Sequence, residues 1–267
     1  MANLSLPNRL EQEEDGGKMS FFEHLAELRT RIIHACAGIV LGTFIGVGIS
    51  KHVLEFVARP MVEALRRANL QDKLIFTHPA GYLYQVITLG LYLGIVIASP
   101  YVLYQVWLFV APGLYRHERK AVAGFVISSV ALFLCGIVFA YYVILPYLLK
   151  FLVNFQTGGP FTPLISVDEY FDLVLNVLLG VGVVFELPVL AFLLSLFGIV
   201  TPQFLWKNFR YAILIITILA AVITPTPDAL TMLVFMAPMV VLYVVSIGVS
   251  AAVARSKRRR AVAGGAD

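Results

Sequence analysis

The stretch YFDLVLNVLLGVGVVFELPVLAFLLSL, residues 170–196, decides the class of this protein. It is long and apolar, and toward its centre it carries an acid, Glu186, with Pro188 two positions later. About 20 apolar residues in a helix cross the hydrocarbon core of a bilayer. A carboxylate at that depth costs roughly 2.5–3.5 kcal/mol and usually faces a bundle interior or a wet cavity. The stretch therefore predicts a membrane span whose Glu186 has a function.

The composition of the whole chain agrees with a membrane protein. Of its 267 residues, 60% are hydrophobic and only 13% are charged, and the mean hydropathy is +0.86. A soluble globular domain has about 25% charged residues. We predict an all-α polytopic fold with six transmembrane helices in a concave, glove-shaped bundle. The spans cover residues 32–49, 82–110, 121–149, 173–200, 211–223 and 229–253.

The positive charges sort by side when six spans are assumed. Fourteen of the 20 Lys and Arg residues fall in the N-terminal segment, the loops 111–120 and 201–210, and the C-terminal tail. The other six fall in the opposite loops. The positive-inside rule then places both termini in the cytoplasm. The fifth span is short, so we expect either a thinned bilayer or partner helices beside it.

Three regions are expected along the chain. Residues 1–18 have no apolar core of a signal peptide and predict a disordered cytoplasmic leader. Residues 19–253 form the six-span membrane domain. Residues 254–267 form a basic cytoplasmic tail, for which attraction to anionic lipid is favoured over binding to nucleic acid.

Several acids outside the span centres have both a structural and a functional interpretation. Glu27 lies four residues before Arg31, a spacing that forms ion pairs on one helix face. Glu118 lies where it could balance the dipole of the third span. Asp228 follows the stiff segment with Pro225 and Pro227 and stands at the N-cap position of the sixth span. Sequence spacing alone leaves both interpretations open for each acid.

Small residues and prolines predict how the spans pack. Glycines repeat every four residues in the first span and again in the second, which lets two helices approach closely; they are Gly38, Gly42 and Gly46, and Gly90 and Gly94. Pro100 and Pro188 lie inside spans and Pro146 lies near the end of one, so we expect kinked helices.

Four motifs occur in order along the chain: FFEHLAELRTR at 21–31, SPYVLYQVWLFVAPGLYRHER at 99–119, VFELPV at 184–189 and TPTPD at 224–228. Together they resemble the TatC family, the receptor core of the twin-arginine protein translocase. The resemblance covers about residues 19–253. It implies binding of twin-arginine signal peptides and translocation of folded proteins, with TatA- and TatB-type single-span partners and other copies of the chain itself.

The same resemblance implies roles for individual residues. Glu27 and Glu118 match the acidic signal-peptide site, and Arg29 and Phe109 match neighbouring positions, with Leu25 expected to add apolar contact. Glu186 matches the buried acid of the fourth span, and Asp228 matches the acid of the third outer loop. One position departs from the family pattern: Met232 stands where some members carry a glutamine facing a membrane partner.

The competing interpretation is a secondary transporter or ion pathway that uses Glu186. Against it, the two halves show no matching interrupted segments, and Glu186 is the only acid that we place inside a span. A membrane enzyme is less favoured, because no phosphate loop, metal-spaced His or Cys pair, or nucleophile–base set is recognisable. We therefore expect no catalysis, no cofactor and no bound metal.

Overall fold

The computed structural model describes residues 21–70, 73–110, 119–156, 164–224 and 228–263. Within these ranges the chain is almost entirely helical, and the predicted all-α class is confirmed. The helices are α1 Phe21–Arg67, α2 Gly81–Val110, α3 Arg119–Phe139, α4 Leu145–Gln156, α5 Val167–Val184, α6 Leu187–Leu196, α7 Pro202–Lys207, α8 Phe209–Ile223 and α9 Ala229–Ala263.

The six predicted spans correspond to five long apolar segments and one short helix. The long segments are Phe22–Arg67, Gly81–Phe109, Gly124–Phe155, Val167–Leu196 and Ala229–Arg258. The short helix is α8, which has 15 residues. At ~1.5 Å per residue it reaches about 22 Å, less than the ~30 Å of a hydrocarbon core. The protein is therefore a multi-pass membrane protein with one short span.

The first helix is longer than the span that we predicted for it, residues 32–49. We expected an outer loop over residues 51–81, but α1 continues without a break as far as Arg67, so the loop prediction is wrong for residues 51–67. The reason is a second apolar pattern at four-residue spacing, in which Val57, Met61 and Leu65 are all buried in the main core. Packing against α4 and α5 stabilises this extension as helix.

The glycine pattern brings α1 and α2 into close contact, as predicted. A Cβ atom on Gly42 would lie 2.5 Å from the carbonyl oxygen of Gly94, and one on Gly46 would overlap the carbonyl oxygen of Gly90. Neither position has room for a side chain. The two helices form the most extensive helix–helix contact among the described residues, and it fixes α2 against the N-terminal half of α1.

The third span changes its helical geometry before Pro146. Residues Ala140–Ile144 form a π turn, in which the N–H of Leu145 donates to the carbonyl of Ala140. Proline lacks an N–H and crowds the preceding turn, so a wider turn at this point relieves the helix. The π turn directs Tyr141 toward α1, where its hydroxyl donates to the carbonyl oxygen of Phe56 at 2.7 Å.

The core divides into two clusters. The larger joins the extension of α1 to α4, α5, α8 and α9, and Tyr170 and Phe171 lie at its centre. Tyr170 also donates its hydroxyl to the carbonyl oxygen of Val57 at 2.7 Å. The smaller cluster contains Trp107, Phe125, Val189 and Leu193. It packs α2, α3 and α6 together around the segment that carries Glu186.

Candidate functional site

Glu27 lies on the first turns of α1 and forms the ion pair that its spacing predicted. Its Oε1 accepts from Nη2 of Arg31 at 3.1 Å. Nη1 of Arg31 donates to Oε1 of Gln105 on α2 at 3.3 Å. The Glu27 side chain is only 16% exposed, so the carboxylate is held in one position. Gln105 was not identified from the sequence, since its role depends on a contact 74 positions away.

The Glu27 carboxylate still has an unused acceptor. Its Oε2 is inaccessible and has no hydrogen-bond partner among the described residues, and the same is true of Nε of Arg31. A buried, charged acceptor without a donor is costly. An ionised carboxylate can accept from two guanidinium groups at once, since each oxygen has two lone pairs. The site therefore has an unpaired acceptor, which is covered in this structure.

Aromatic side chains lie beside this ion pair. The rings of His24 on α1 and Phe109 on α2 stack with centroids 4.4 Å apart. His24 precedes Glu27 by one helical turn on α1, and Phe109 follows Gln105 by one turn on α2. The aromatic contact therefore lies one helical turn from the polar contact along the α1–α2 interface. Phe109 thus contacts His24, one helical turn from Glu27, and its part in a signal-peptide site stays a prediction.

Leu25 and Arg29 are both exposed and share another face of α1. Residues two apart on a helix point in different directions, so neither faces the ion pair of Glu27 directly. Their contribution to a binding surface stays a prediction. Glu118 lies outside the described residues, and α3 begins at the next residue, Arg119. The convergence of Glu118 with Glu27 also stays a prediction.

Glu186 sits at a break between two helices. α5 ends at Val184 and α6 begins at Leu187, with Glu186 as N-cap residue and Pro188 in the first turn. The N–H of Glu186 donates to the carbonyl of Val183 at 3.0 Å, a tight turn that replaces the α-helical pattern. Proline is favoured in the first turn of a helix, which explains why α6 restarts here. The predicted disruption at Pro188 is therefore confirmed as a full helix break.

The Glu186 carboxyl group is part of a polar chain between three helices. It lies next to the side chain of Ser129 on α3, and Nε1 of Trp107 on α2 donates to the Ser129 hydroxyl at 3.0 Å. Ser129 is fully buried. Oε1 of Glu186 is inaccessible and has no partner among the described residues. In the sequence, only the presence of a serine and a tryptophan inside apolar spans pointed to these polar contacts.

At the start of α9, Asp228 acts as the predicted N-cap. Its Oδ1 accepts from the N–H of Thr231 at 2.7 Å. Pro225 and Pro227 lie outside the described residues. Met232 is partly buried and packs against the main core. At least part of its side chain therefore contributes to internal packing.

The helix of the fourth span carries acids besides Glu186. The segment Val167–Leu196 also includes Asp168, Glu169 and Asp172, which lie before residue 173, where we began the span. α5 begins at Val167, six residues earlier than the predicted span. Asp172 lines a groove between α4, α5 and α8.

Comparison with known proteins agrees with this architecture. The family model TatC, described as Sec-independent protein translocase protein (TatC), matches residues 23–238. The Sec-independent protein translocase protein TatC of Koribacter versatilis is 45% identical over 252 residues, which is 94% of this chain and 92% of that protein. The protein TatCy of Bacillus subtilis is 34% identical over 248 residues, 92% of this chain and 94% of that protein.

Two solved structures share the fold. A crystal structure of the twin-arginine translocase receptor TatC in DDM aligns with a TM-score of 0.77 and 35% identity, covering 85% of this chain and 99% of that one. Another crystal structure of the same receptor aligns with a TM-score of 0.74 and 33% identity, covering 87% and 100%. The matched region includes the described elements that hold Glu27, Gln105, Glu186 and Asp228. This chain therefore belongs to the TatC family of Sec-independent protein translocase proteins.

Proposed function

We propose that this protein binds twin-arginine signal peptides through a surface centred on Glu27 and, with TatA- and TatB-type single-span partners, moves folded proteins across the cytoplasmic membrane. It acts by binding and carries out no catalysis. Both termini lie in the cytoplasm, so Glu27 faces the compartment in which cargo is made.

The observation that carries the proposal is the unused Oε2 of Glu27. Arg31 occupies Oε1 at 3.1 Å, and Oε2 has no partner among the described residues. Oε2 is inaccessible in this structure, so a signal-peptide guanidinium donates to it only after the atoms that cover it move. Arg31 then keeps its own bond, because the two cations use different oxygens. Charge-assisted hydrogen bonds contribute roughly 1.5–3 kcal/mol each. Loss of this one should weaken binding at least ~10-fold.

A signal peptide carries two arginines, and we assign the second to Glu118. Phe109, stacked on His24, supplies an apolar wall on which the stem or plane of a guanidinium can pack. Arg29 and Leu25, both exposed, form the outer rim of the surface. Arginine is preferred over lysine at such a site because its planar fork can donate to a fixed carboxylate in a fixed direction.

The short helix α8 is the edge that we assign to the single-span partners. At about 22 Å it leaves roughly 8 Å of hydrocarbon thickness unmatched. A partner helix beside α8 removes that mismatch without thinning the bilayer. Disulfide scanning that placed such partners only against α3 would contradict this assignment.

The proposal is tested by co-purifying the full chain with a precursor protein that carries a twin-arginine signal peptide. The wild type should retain the twin-arginine precursor and lose the same precursor with Lys-Lys in place of Arg-Arg. The double variant Glu27→Ala, Glu118→Ala should retain neither. Undiminished retention by the double variant would refute the assignment.

A further inference from the structure

A groove opens beside the end of the short helix α8. It has a volume of about 1040 Å³ and lies between α4, α5 and α8. Most of its wall is apolar and includes Leu173, Val183, Leu219 and Val222. Its volume lies at the upper end of the ~300–1,000 Å³ usual for sites of small organic molecules.

The groove exists because α5 extends beyond α8. A Cβ atom on Gly180 would lie 3.3 Å from Ile223, the last residue of α8, so the two residues are at the same level. α5 begins 13 positions before Gly180, at Val167, and therefore runs on for about 20 Å past that level. Over this length the described part of α8 provides no wall.

Polar side chains face this open length. Asn176, Asp172 and Glu169 line the groove on α5 at spacings of four and three residues, and all three are exposed. Asn176 and Asp172 lie about 6 and 12 Å beyond Gly180 at ~1.5 Å per residue. Since α8 falls roughly 8 Å short of a full hydrocarbon core, these two residues bracket the level at which lipid headgroups begin.

The charged and polar groups of the groove match a lipid headgroup that has an ammonium group and a phosphate. Among the described residues, its lining includes two carboxylates, Glu169 and Asp172, and no Lys or Arg. Asn176 accepts from the hydroxyl of Tyr92 through Oδ1 at 2.7 Å, and its Nδ2 donates no hydrogen bond within the described residues. Carboxylates match an ammonium group, and a free amide N–H matches a phosphate oxygen.

We propose that this groove binds one molecule of phosphatidylethanolamine. The ammonium group lies between Glu169 and Asp172, a phosphate oxygen accepts from Nδ2 of Asn176, and an acyl chain lies along Val183, Leu219 and Val222. The lipid fills the space that α8 leaves open, so the short span needs less thinning of the bilayer at this point. An anionic lipid such as phosphatidylglycerol lacks the ammonium group and is repelled by the two carboxylates.

Native mass spectrometry of the full chain, released from detergent in the presence of equal amounts of phosphatidylethanolamine and phosphatidylglycerol with the same acyl chains, tests this site. We expect the wild type to retain phosphatidylethanolamine at least ~10-fold more than phosphatidylglycerol. The double variant Glu169→Gln, Asp172→Asn should lose that preference. Glu55→Gln, which removes an exposed acid on α1 outside the groove, should keep it.

A second variant tests the apolar part independently of charge. Val183→Trp fills the groove from α5 and should lower phosphatidylethanolamine retention at least ~10-fold. Wild-type retention by the Glu169, Asp172 double variant or by Val183→Trp would overturn the proposal, and so would equal retention of the two lipids by the wild type. Cross-linking of Leu173→Cys, on the α5 wall of the groove, to a single-span protein in bilayers rich in phosphatidylethanolamine would assign the groove to a helix instead, and would also overturn it.

Discussion

Trp107 donates its indole N–H to the hydroxyl of Ser129 at 3.0 Å, and the same serine lies next to the carboxyl group of Glu186. The three residues come from α2, α3 and the break between α5 and α6. Trp107 stacks on Phe125 with ring centroids 5.0 Å apart, so an aromatic pair holds the donor in place. The acid thus has a polar neighbour, and its Oε1 has no hydrogen-bond partner within the part of the chain that the structure describes.

The Glu186 site predicts a difference between two substitutions. Glu186→Gln keeps the shape and the contact with Ser129, whereas Glu186→Leu leaves the Ser129 hydroxyl without that partner. If polarity at this position is what transport needs, the Gln variant should export most of a twin-arginine reporter protein and the Leu variant should export little. A fully active Leu variant would remove the role assigned here. An inactive, folded Gln variant would indicate that the residue must titrate.

Close packing of α1 on α2 predicts that Gly46 tolerates substitution much less well than Gly48. Gly46→Ala places a methyl group into the carbonyl oxygen of Gly90 and should destabilise the protein by about 1–3 kcal/mol, the usual cost of overpacking. Gly48→Ala is the matched control on the same helix, because no heavy atom lies within 4 Å of its Cβ position. It should be neutral or stabilising by up to ~1 kcal/mol. Thermal unfolding in detergent distinguishes the two, and equal melting temperatures would contradict the packing account.

The basic tail is predicted to anchor α6. Nζ of Lys257 donates to the carbonyl oxygens of Ser195 and Leu196 at 3.2 and 2.5 Å, so a cation lies at the C-terminal end of that helix. Such contacts contribute about 0.3–1 kcal/mol. Lys257→Met should therefore lower the melting temperature slightly, while Arg255→Met, an exposed cation two positions earlier, should not. A larger decrease in melting temperature for Arg255→Met than for Lys257→Met would mean that attraction of the tail to lipid stabilises the protein more than the contact of Lys257 with α6.

The six-span topology predicts which loops an impermeant thiol reagent can reach. After Cys36 and Cys135 are replaced by serine, Gln203→Cys on α7 should be labelled only in inverted membrane vesicles, because the predicted topology places it on the cytoplasmic side. Lys73→Cys, in the segment between α1 and α2, should be labelled in intact cells. Labelling of residue 203 from outside would contradict the six-span topology.

Features with a local cause could be predicted from the sequence. The Glu27–Arg31 pair and the cap at Asp228 follow from spacings of four and three residues, and the α1–α2 contact follows from the glycine repeat. Features that depend on distant contacts could not. The extension of α1 is stabilised by burial of residues such as Leu65 against other helices, and nothing near Ser129 in the sequence identifies Glu186 as its partner.

The position of Asp172 shows a third kind of limit. Hydropathy placed it just outside the fourth span, and the structure includes it in α5, about 12 Å beyond the level at which α8 ends. Its place in the groove depends on a neighbouring helix that ends before reaching it. A window of sequence around Asp172 contains no information about that neighbour.

The most direct test of the account is the dissociation constant of twin-arginine and Lys-Lys signal peptides for the wild type, Glu27→Gln and Glu63→Gln. Glu63 is a matched control, because it forms the same type of pair on the same helix, with Arg67 at 3.5 Å, but is far more exposed. We predict that Glu27→Gln weakens twin-arginine binding at least ~10-fold and reduces the preference over Lys-Lys, while Glu63→Gln changes neither. Equal losses in the two variants, or an unchanged preference in Glu27→Gln, would contradict the assignment of Glu27 as an acceptor of a signal arginine.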